Sequence, residues 1–504
     1  MLRPDMSDLA PSPADPDAPF GADLGPMIQG PYAPVLEEST LDDLEVVGEI
    51  PRDLSGVYLR NGPNPRLRPN GRYHWFDGDG MLHGAHFDRG RLVYRNRWIR
   101  TEGLRREEEA GRALYWGVLE TQRDQGERRE RPMKDTANTD IIGHRGLAVA
   151  SWYLCGDAVQ VHPITLETLG PLEATRGMHG GFSAHPKVDD HTGELLFFNY
   201  GKDAPYMHYG VVDEHNDLAH YIDVPLPGPR MPHDMAFTEN YAILNDLPMF
   251  WDPELLKHDI HLPKLHADTP ARFAVIPRRG QTSDITWFEA DPTYVLHFAN
   301  AYEDGDEIVL DGFYQGDPEP GGEGITDKWQ KAFRYLALDH LQTRLHRWRF
   351  NMVTGAVREE QLTDTISEFG MINGSVTARP HRYVYAASGV DGWFLFNGVV
   401  KHDLRTGAEE SFFLGDGVYG SETSMAPRVG SSGEDDGYLI TITTDMNDDA
   451  SYCVVLDAAR VSDGPVCKLR LPERVSSGTH STWAAGSELR RWHETDTAAA
   501  AVGL

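Results

Sequence analysis

The sequence predicts a large all-β fold, and three observations support this prediction. Short runs rich in β-branched and aromatic residues recur along the chain of 504 residues. One turn recurs at residues 189–193, 351–355 and 403–407, beginning each time with Asp or Asn and ending with Gly, as tight hairpin turns do. The 50 glycines suit many such turns. Radial closure is the arrangement that leaves few sheet edges exposed.

The individual elements are predicted from local patterns. The predicted strands are short and rich in β-branched or aromatic residues, and they include residues 91–99, 273–277, 294–298, 438–443 and 452–456. The sequence has no fixed repeat period, which disfavours a solenoid of short motifs. One helix is predicted over residues 327–341. Its apolar positions fall on one face and comprise Trp329, Phe333, Leu336 and Leu341.

Between two loose ends, the sequence predicts a single strand-rich domain over residues 31–484. Residues 1–30 are rich in Pro, Asp and Ala and carry little periodic apolar content, which predicts a disordered N-terminal lead. Residues 485–504 include a run of alanines and predict a flexible C-terminal tail.

Composition and charge argue against several functions. Acidic residues outnumber basic ones by 78 to 47, giving a net charge of −31. Nucleic-acid binding and polybasic membrane anchoring both need positive charge. The three cysteines include no Cys-x-x-Cys pair and indicate a reducing, cytoplasmic location. We find no signal peptide and no run of the roughly 18 apolar residues that a spanning helix needs, so any membrane contact is expected to be peripheral.

Four histidines are candidates for a metal site. They are His185, His233, His297 and His480, and each lies in a different strand-like window. A set of neutral imidazoles suits iron that must bind oxygen. With 22 histidines in the chain, however, a lone histidine is more often a surface or core residue. From the residues alone, both readings stay open.

Several long motifs resemble the carotenoid cleavage oxygenase family, which includes carotenoid, apocarotenoid and lignostilbene dioxygenases and the retinal pigment epithelial membrane protein. The first is Gly-Val-Tyr-Leu-Arg-Asn-Gly-Pro-Asn-Pro at residues 56–65, and the second is Tyr-His-Trp-Phe-Asp-Gly-Asp-Gly-Met-Leu-His-Gly at residues 73–84. Shorter ones follow at residues 137–139, 184–189, 300–305 and 434–439. These motifs occur in the family's order over nearly the whole chain.

The resemblance implies a fold, a cofactor and ligands. The fold is a seven-bladed β-propeller whose cap of loops and short helices covers an axial iron site. One ferrous ion (Fe²⁺) per chain would be held by His185, His233, His297 and His480. Two coordination positions would remain for oxygen and substrate, as oxygen chemistry at an open metal site requires. No other catalytic group and no other cofactor is implied.

The resemblance also implies glutamates that hydrogen bond to the ligand histidines, as metal-bound imidazoles need. Glu368 and Glu422 match two of the family's three. The third position falls on Tyr153 or Leu154, neither of which is a carboxylate, so a tyrosine hydroxyl, a backbone carbonyl or water would take its place. Thr139 matches a threonine that crowds an open iron position in relatives, or else packs locally as a strand residue.

The predicted substrate class depends on residues next to the missing glutamate. Phenol-cleaving relatives hold the phenol oxygen with a lysine just before the missing glutamate, where this chain has Trp152 or Tyr153. Aromatic residues suit a polyene wall instead. We therefore expect a carotenoid or apocarotenoid double bond, with a stilbene or phenylpropenoid as the alternative. Trp98 either lines this pocket or belongs to the core.

Two other classes of protein have less support from the sequence. A propeller that has lost catalysis and only binds ligands would explain the missing glutamate but not four retained histidines. A hydrolase would need a Gly-x-Ser-x-Gly elbow, which the sequence lacks.

Overall fold

The computed structural model describes residues 20–492 apart from residues 22–23, 72, 119–132, 177, 179, 252–253, 255–262, 328–329 and 332–333. Within these residues the chain is mostly β, as predicted. The strands pair antiparallel into six larger sheets and one two-stranded ribbon. No helix among them is both long enough and apolar enough to cross a membrane.

Four of the sheets form from the two ends and the first half of the chain. The sheet that contains both chain ends has the order β1 (Thr40–Leu41), β5 (Arg91–Trp98), β4 (Met81–Asp88), β3 (Gly56–Arg60) and β32 (Ser481–Ala485). The next has the order β6 (Asp140–His144), β7 (Leu147–Ser151), β8 (Val159–Val161) and β9 (Thr168–Pro171). The third has the order β10 (Lys187–Asp189), β11 (Glu194–Tyr200), β12 (Met207–Val212) and β13 (Leu218–Asp223). The fourth has the order β14 (Ala236–Phe237), β15 (Tyr241–Asp246), β18 (Ala271–Pro277) and β19 (Thr286–Ala290).

The remaining strands form a ribbon and two larger sheets. The ribbon pairs β16 (Met249–Trp251) with β17 (Pro263–Leu265). The largest sheet has the order β20 (Val295–Asp304), β21 (Glu307–Gln315), β22 (Thr343–Asn351), β23 (Val357–Met371), β24 (Tyr383–Val390), β25 (Trp393–Asp403) and β26 (Ala408–Phe413). The last sheet has the order β2 (Val46–Gly48), β31 (Pro465–Arg470), β30 (Ala450–Asp457), β29 (Gly437–Asp445) and β27 (Val418–Tyr419), and β28 (Ser424–Pro427) also pairs with β29.

The three predicted hairpin turns are confirmed. Gly193, Gly355 and Gly407 have φ angles of 79°, 75° and 71°, where a side chain would be strained. In each turn the glycine N–H donates to the carbonyl of the Asp or Asn that opens the turn, over 2.7–2.9 Å. All five predicted strand windows also lie largely within observed strands.

Helices are few in the described residues. The first, α1 (Glu102–Ala110), is capped by Thr101, whose side chain accepts from the Leu104 N–H. In its described part, the helix predicted over residues 327–341 is helical at residues 330–331, then forms a single turn at Arg334–Leu336 and the four-residue α2 (Leu338–Leu341). The predicted positions Trp329 and Phe333 lie outside the described residues. A last helix, α3, covers residues 486–492.

Both predicted loose ends are packed where the structure describes them. Pro26–Ile28 is a one-turn helix whose Met27 and Ile28 are buried, so residues 26–28 of the predicted lead belong to the core. In α3, within the predicted tail, Leu489 is buried and Arg145 lies over the ring of Trp492. The apolar residues inside these polar segments are packed because each has a core surface to pack on.

Candidate metal centre

The structure brings the four predicted histidines together. His185 precedes the edge strand β10, His233 precedes the edge strand β14, and His480 precedes the terminal strand β32. His297 lies near the start of β20. Five of the six pairs among these rings have centroids 4.5–5.2 Å apart. Segments far apart in sequence therefore meet at one point, as the resemblance implied.

These imidazoles fit a metal ion. The Nε2 atoms of His185 and His297 are buried and have no hydrogen-bond partner among the described residues. A buried polar atom without a partner is costly, and a metal ion would supply one. His185, His297 and His480 each offer a ligand atom, and these atoms lie within 4.8 Å of one another. His233 is not part of this tighter set, although its ring centroid is 4.7 Å from that of His185.

The protonation of the rings suits ligands. Burial lowers the pKa of His185, His233 and His297 well below the ordinary value, so these rings are neutral at pH 7. Burial also opposes charge on His480, but the carboxylates of Glu422, Asp140 and Asp234 together outweigh it, and the pKa of His480 is raised. Neutral rings leave a nitrogen lone pair free to bind a metal.

Both predicted glutamates hydrogen bond to candidate ligands. Glu368, on β23, accepts from His297 Nδ1 over 2.5 Å, and burial raises its pKa to about 8. Glu422 accepts from His480 Nδ1 over 3.2 Å and from the Ser481 N–H. Each carboxylate therefore fixes which ring nitrogen carries the proton and leaves Nε2 facing inward.

His233 is held less firmly. Among the described residues it has no hydrogen-bond partner, and it is only half-buried. Tyr153 does not fill this role in the described contacts, because its ring packs on Phe76 with centroids 5.3 Å apart and its carbonyl accepts from the Tyr200 hydroxyl. Leu154 is half-buried and brings no polar side chain.

Phe369 contacts two of the histidine rings. Its ring stacks on His297 and contacts His480 edge-on, with ring centroids 4.9 Å apart in both pairs. Its backbone has φ of 57°, which is unusual for a bulky residue, and its N–H donates to Glu368. Phe369 continues into an apolar cluster with Trp75, Phe394 and residues of the N-terminal segment.

The four candidate pocket residues occupy different places. Trp98 lies in a core cluster, and its indole N–H donates to the Asn64 carbonyl, which is a structural role. Thr139 is buried, accepts from the Tyr153 N–H, and its carbonyl accepts from Thr479, next to His480. The ring centroids of Trp152 and Tyr153 lie 6.0 Å apart, and the ring of Tyr153 packs on Phe76.

Sequence reasoning missed two charged features near the histidines. Asp140 is buried and accepts from the His185 N–H over 3.1 Å. Lys187, two residues after His185, pairs over 2.7 Å with the buried Asp234, which directly follows His233. For Lys187 and Asp234 the available signal was their proximity to His185 and His233 in sequence, whereas Asp140 lies 45 residues before His185 and gave no such signal.

The fold and the site define a β-protein with a histidine-rich candidate metal centre. A family model described as retinal pigment epithelial membrane protein matches residues 32–485, so the chain belongs to this family. The resemblance found in the sequence motifs is thereby confirmed.

Named relatives and solved structures agree with the family. A carotenoid 9,10(9',10')-cleavage dioxygenase from Crocus sativus is 34% identical, over 93% of this chain and 90% of the relative. The lignostilbene dioxygenase structure from Pseudomonas brassicacearum matches with a TM-score of 0.83 and 28% identity, over 93% of this chain and 100% of that one. A Synechocystis apocarotenoid oxygenase variant matches with a TM-score of 0.79 and 25% identity, over 90% and 98%.

Proposed function

We propose that this protein is an iron(II)-dependent dioxygenase that cleaves a carbon–carbon double bond of a carotenoid or apocarotenoid and gives aldehyde or ketone products. The observation that carries the proposal is the convergence of four imidazoles, two of them oriented by buried glutamates, in a family whose relatives include carotenoid-cleaving dioxygenases. Molecular oxygen is the second substrate.

The donor set is the reason for iron. His185, His233, His297 and His480 would hold one Fe²⁺ per chain through neutral nitrogen atoms, which add no ligand charge. The ion would supply redox chemistry that lets oxygen react with an alkene. Glu368 and Glu422 keep the protons on Nδ1 of their histidines, so that the opposite nitrogens stay available.

The protein itself contributes the positioning of the substrate and the exclusion of water from the site. Phe369 covers one side of the histidine rings and joins an apolar cluster that includes Trp75 and Phe394. Trp152 and Tyr153 stand where phenol-cleaving relatives were expected to place a lysine, so the chain offers no cation there for a phenolate. Aromatic walls bind a polyene through buried apolar area and keep water from the reacting bond.

We propose a seven-bladed propeller as the closed form of this fold. Strand β23 pairs with β22 along its first part and with β24 along its last part, so the largest sheet divides into two four-stranded units that share it. With the other five larger sheets this gives seven units. The pairing of β3 with β32 joins the two ends of the chain and supports closure.

The proposed domain covers residues 31–484, with the packed parts of both ends added to it. Its setting is a reducing compartment such as the cytoplasm, since Cys155, Cys453 and Cys467 are all unpaired.

A product profile tests the function. Iron-loaded protein is offered a panel of carotenoids and apocarotenals beside hydroxystilbenes and propenyl phenols, and the carbonyl products are identified by mass. We expect polyene cleavage that His297→Ala abolishes. His402→Gln is the matched control, because His402 is equally buried but bonds to Glu409 outside the centre, and it should keep activity. Cleavage of stilbenes alone would refute the carotenoid assignment, and the absence of any cleavage would favour a binding protein.

A further inference from the structure

A third carboxylate lies at the candidate metal centre, on a strand that sequence reasoning did not connect with it. Asp140 begins β6 and is 6% exposed. Strand β6 contacts both β32, which follows His480, and β10, which lies two residues after His185. Asp140 is therefore placed between two of the candidate ligands.

Two groups of His185 face this carboxylate. Asp140 Oδ2 accepts from the His185 backbone N–H over 3.1 Å and lies 3.8 Å from His185 Nδ1. The buried Nε2 of His185 has no partner among the described residues, so it is the nitrogen left for a metal. The proton of the neutral ring then sits on Nδ1, which needs an acceptor. Asp140, at 3.8 Å from Nδ1, lies within ion-pair distance of this nitrogen but beyond a direct hydrogen bond.

The backbone at His185 needs the same support. His185 has φ of 63°, a left-handed conformation that is strained for a residue with a side chain. Proline follows it, and residues before proline are ordinarily extended. Asp140 is held in turn, because its Oδ1 accepts from the Ile141 N–H and its carbonyl accepts from Asn61 Nδ2.

The order of groups along the chain gives an independent argument. Seven strands bring ionisable side chains to the centre, either within the strand or just before it. From β6, β10, β14, β20, β23, β28 and β32 these include Asp140, His185, His233, His297, Glu368, Glu422 and His480. The strands β10 and β14 also bring the ion pair of Lys187 and Asp234. Without Asp140, β6 would be the one strand of these seven that contributes no group.

We propose that Asp140 is a positioning residue for His185 and supplies the third carboxylate of the centre, in place of the glutamate that this chain lacks at Tyr153 or Leu154. The inference rests on the proposed metal site. It places the carboxylate on a different strand from the family's and against a histidine that Glu368 and Glu422 do not reach.

Cobalt binding tests the proposal without relying on turnover. Asp140→Asn keeps the size and an oxygen for the His185 N–H, but removes the charge that faces Nδ1. Asp140→Ala removes both, and Asp140→Glu keeps the charge. Asp311→Asn is the matched control, because Asp311 is fully buried and is paired with Arg347 outside the centre. The Kd for Co²⁺ is measured by chelator competition, and the visible absorption of bound Co²⁺ reports the ligand geometry.

We expect Asp140→Asn to raise the Kd for Co²⁺ about 10- to 100-fold and to shift the visible spectrum. Asp140→Glu should bind more tightly than Asp140→Asn, and Asp311→Asn should lose stability but keep the wild-type Kd and spectrum. A wild-type Kd and spectrum in Asp140→Asn would overturn the role of Asp140 while leaving the metal site in place. A wild-type protein that binds no Co²⁺ would overturn the metal site itself.

Discussion

Replacing Glu368 by glutamine tests how strongly a buried carboxylate supports its ligand. Glu368 is fully buried, and its Oε2 accepts from His297 Nδ1 over 2.5 Å and from the Phe369 N–H over 2.5 Å. Glutamine keeps the length and one accepting oxygen, so at a pH above 8, where Glu368 is ionised, only the charge is lost. The change therefore isolates the electrostatic part of the support.

The size of the effect follows from these contacts. A hydrogen bond to a charged group contributes about 1.5–3 kcal/mol, against about 0.5–1.5 kcal/mol for a neutral one. The loss for one bond to the ligand is then about 1–1.5 kcal/mol, which corresponds to about tenfold weaker metal binding. The measured range for partners of metal-bound histidines, about 10- to 100-fold, includes this value.

The assay is metal competition against a chelator on purified protein, with the metal content of the same samples measured in parallel. Glu107→Gln is the matched control, because Glu107 is also buried but pairs with Lys134 over 2.6 Å, outside the histidine cluster. We expect metal affinity to fall in Glu368→Gln and to stay unchanged in Glu107→Gln. Equal affinities in wild type and Glu368→Gln would show that the charge of Glu368 does not support His297.

Three further predictions concern stability and the departure from the family. Phe369→Ala should lower the free energy of unfolding of the metal-free protein by about 3–5 kcal/mol, since a buried aromatic ring is lost, and a loss below about 1 kcal/mol in urea titrations would contradict this packing role. Burial lowers the pKa of His144 to about 4. As the pH falls from 6.5 to 4, the unfolded chain therefore takes up a proton at His144 that the folded chain does not. The free energy of unfolding decreases over this range by up to about 3 kcal/mol. His144→Asn should flatten that fall, and an unchanged slope between pH 7 and 4.5 would refute it. A carboxylate restored by Tyr153→Glu or Leu154→Glu should raise iron occupancy, and no change with either variant would remove position 153–154 from the site.

The sequence predicts this fold best where one residue decides the local geometry. Gly193, Gly355 and Gly407 each occupy the left-handed position of a hairpin turn, and only glycine adopts that conformation freely. The predicted helix over residues 327–341 failed for a different reason. Ala337 has an extended backbone that separates two short turns, and apolar periodicity carries no information about such an interruption.

The ends of the chain show how composition can mislead. The lead is rich in Pro and Asp, yet Met27 and Ile28 are fully packed because Trp75 and Phe394 belong to the same apolar cluster. Average polarity over 30 residues hides two apolar side chains that find a partner surface. Tertiary packing decides such a boundary, and the sequence of the segment alone does not contain it.

The carboxylates near the four histidines differ in the groups they contact. Burial opposes charge on His480, but the carboxylates of Glu422, Asp140 and Asp234 raise its pKa. His233 instead has His185 and His297 as its neighbours, with ring centroids 4.7 and 5.2 Å away. Asp234 directly follows His233, but this carboxylate pairs with Lys187 and accepts from the Phe298 N–H instead of bonding to the His233 ring. A bound metal would then depend mainly on His185, His297 and His480, the three histidines whose Nδ1 atoms have a carboxylate close by.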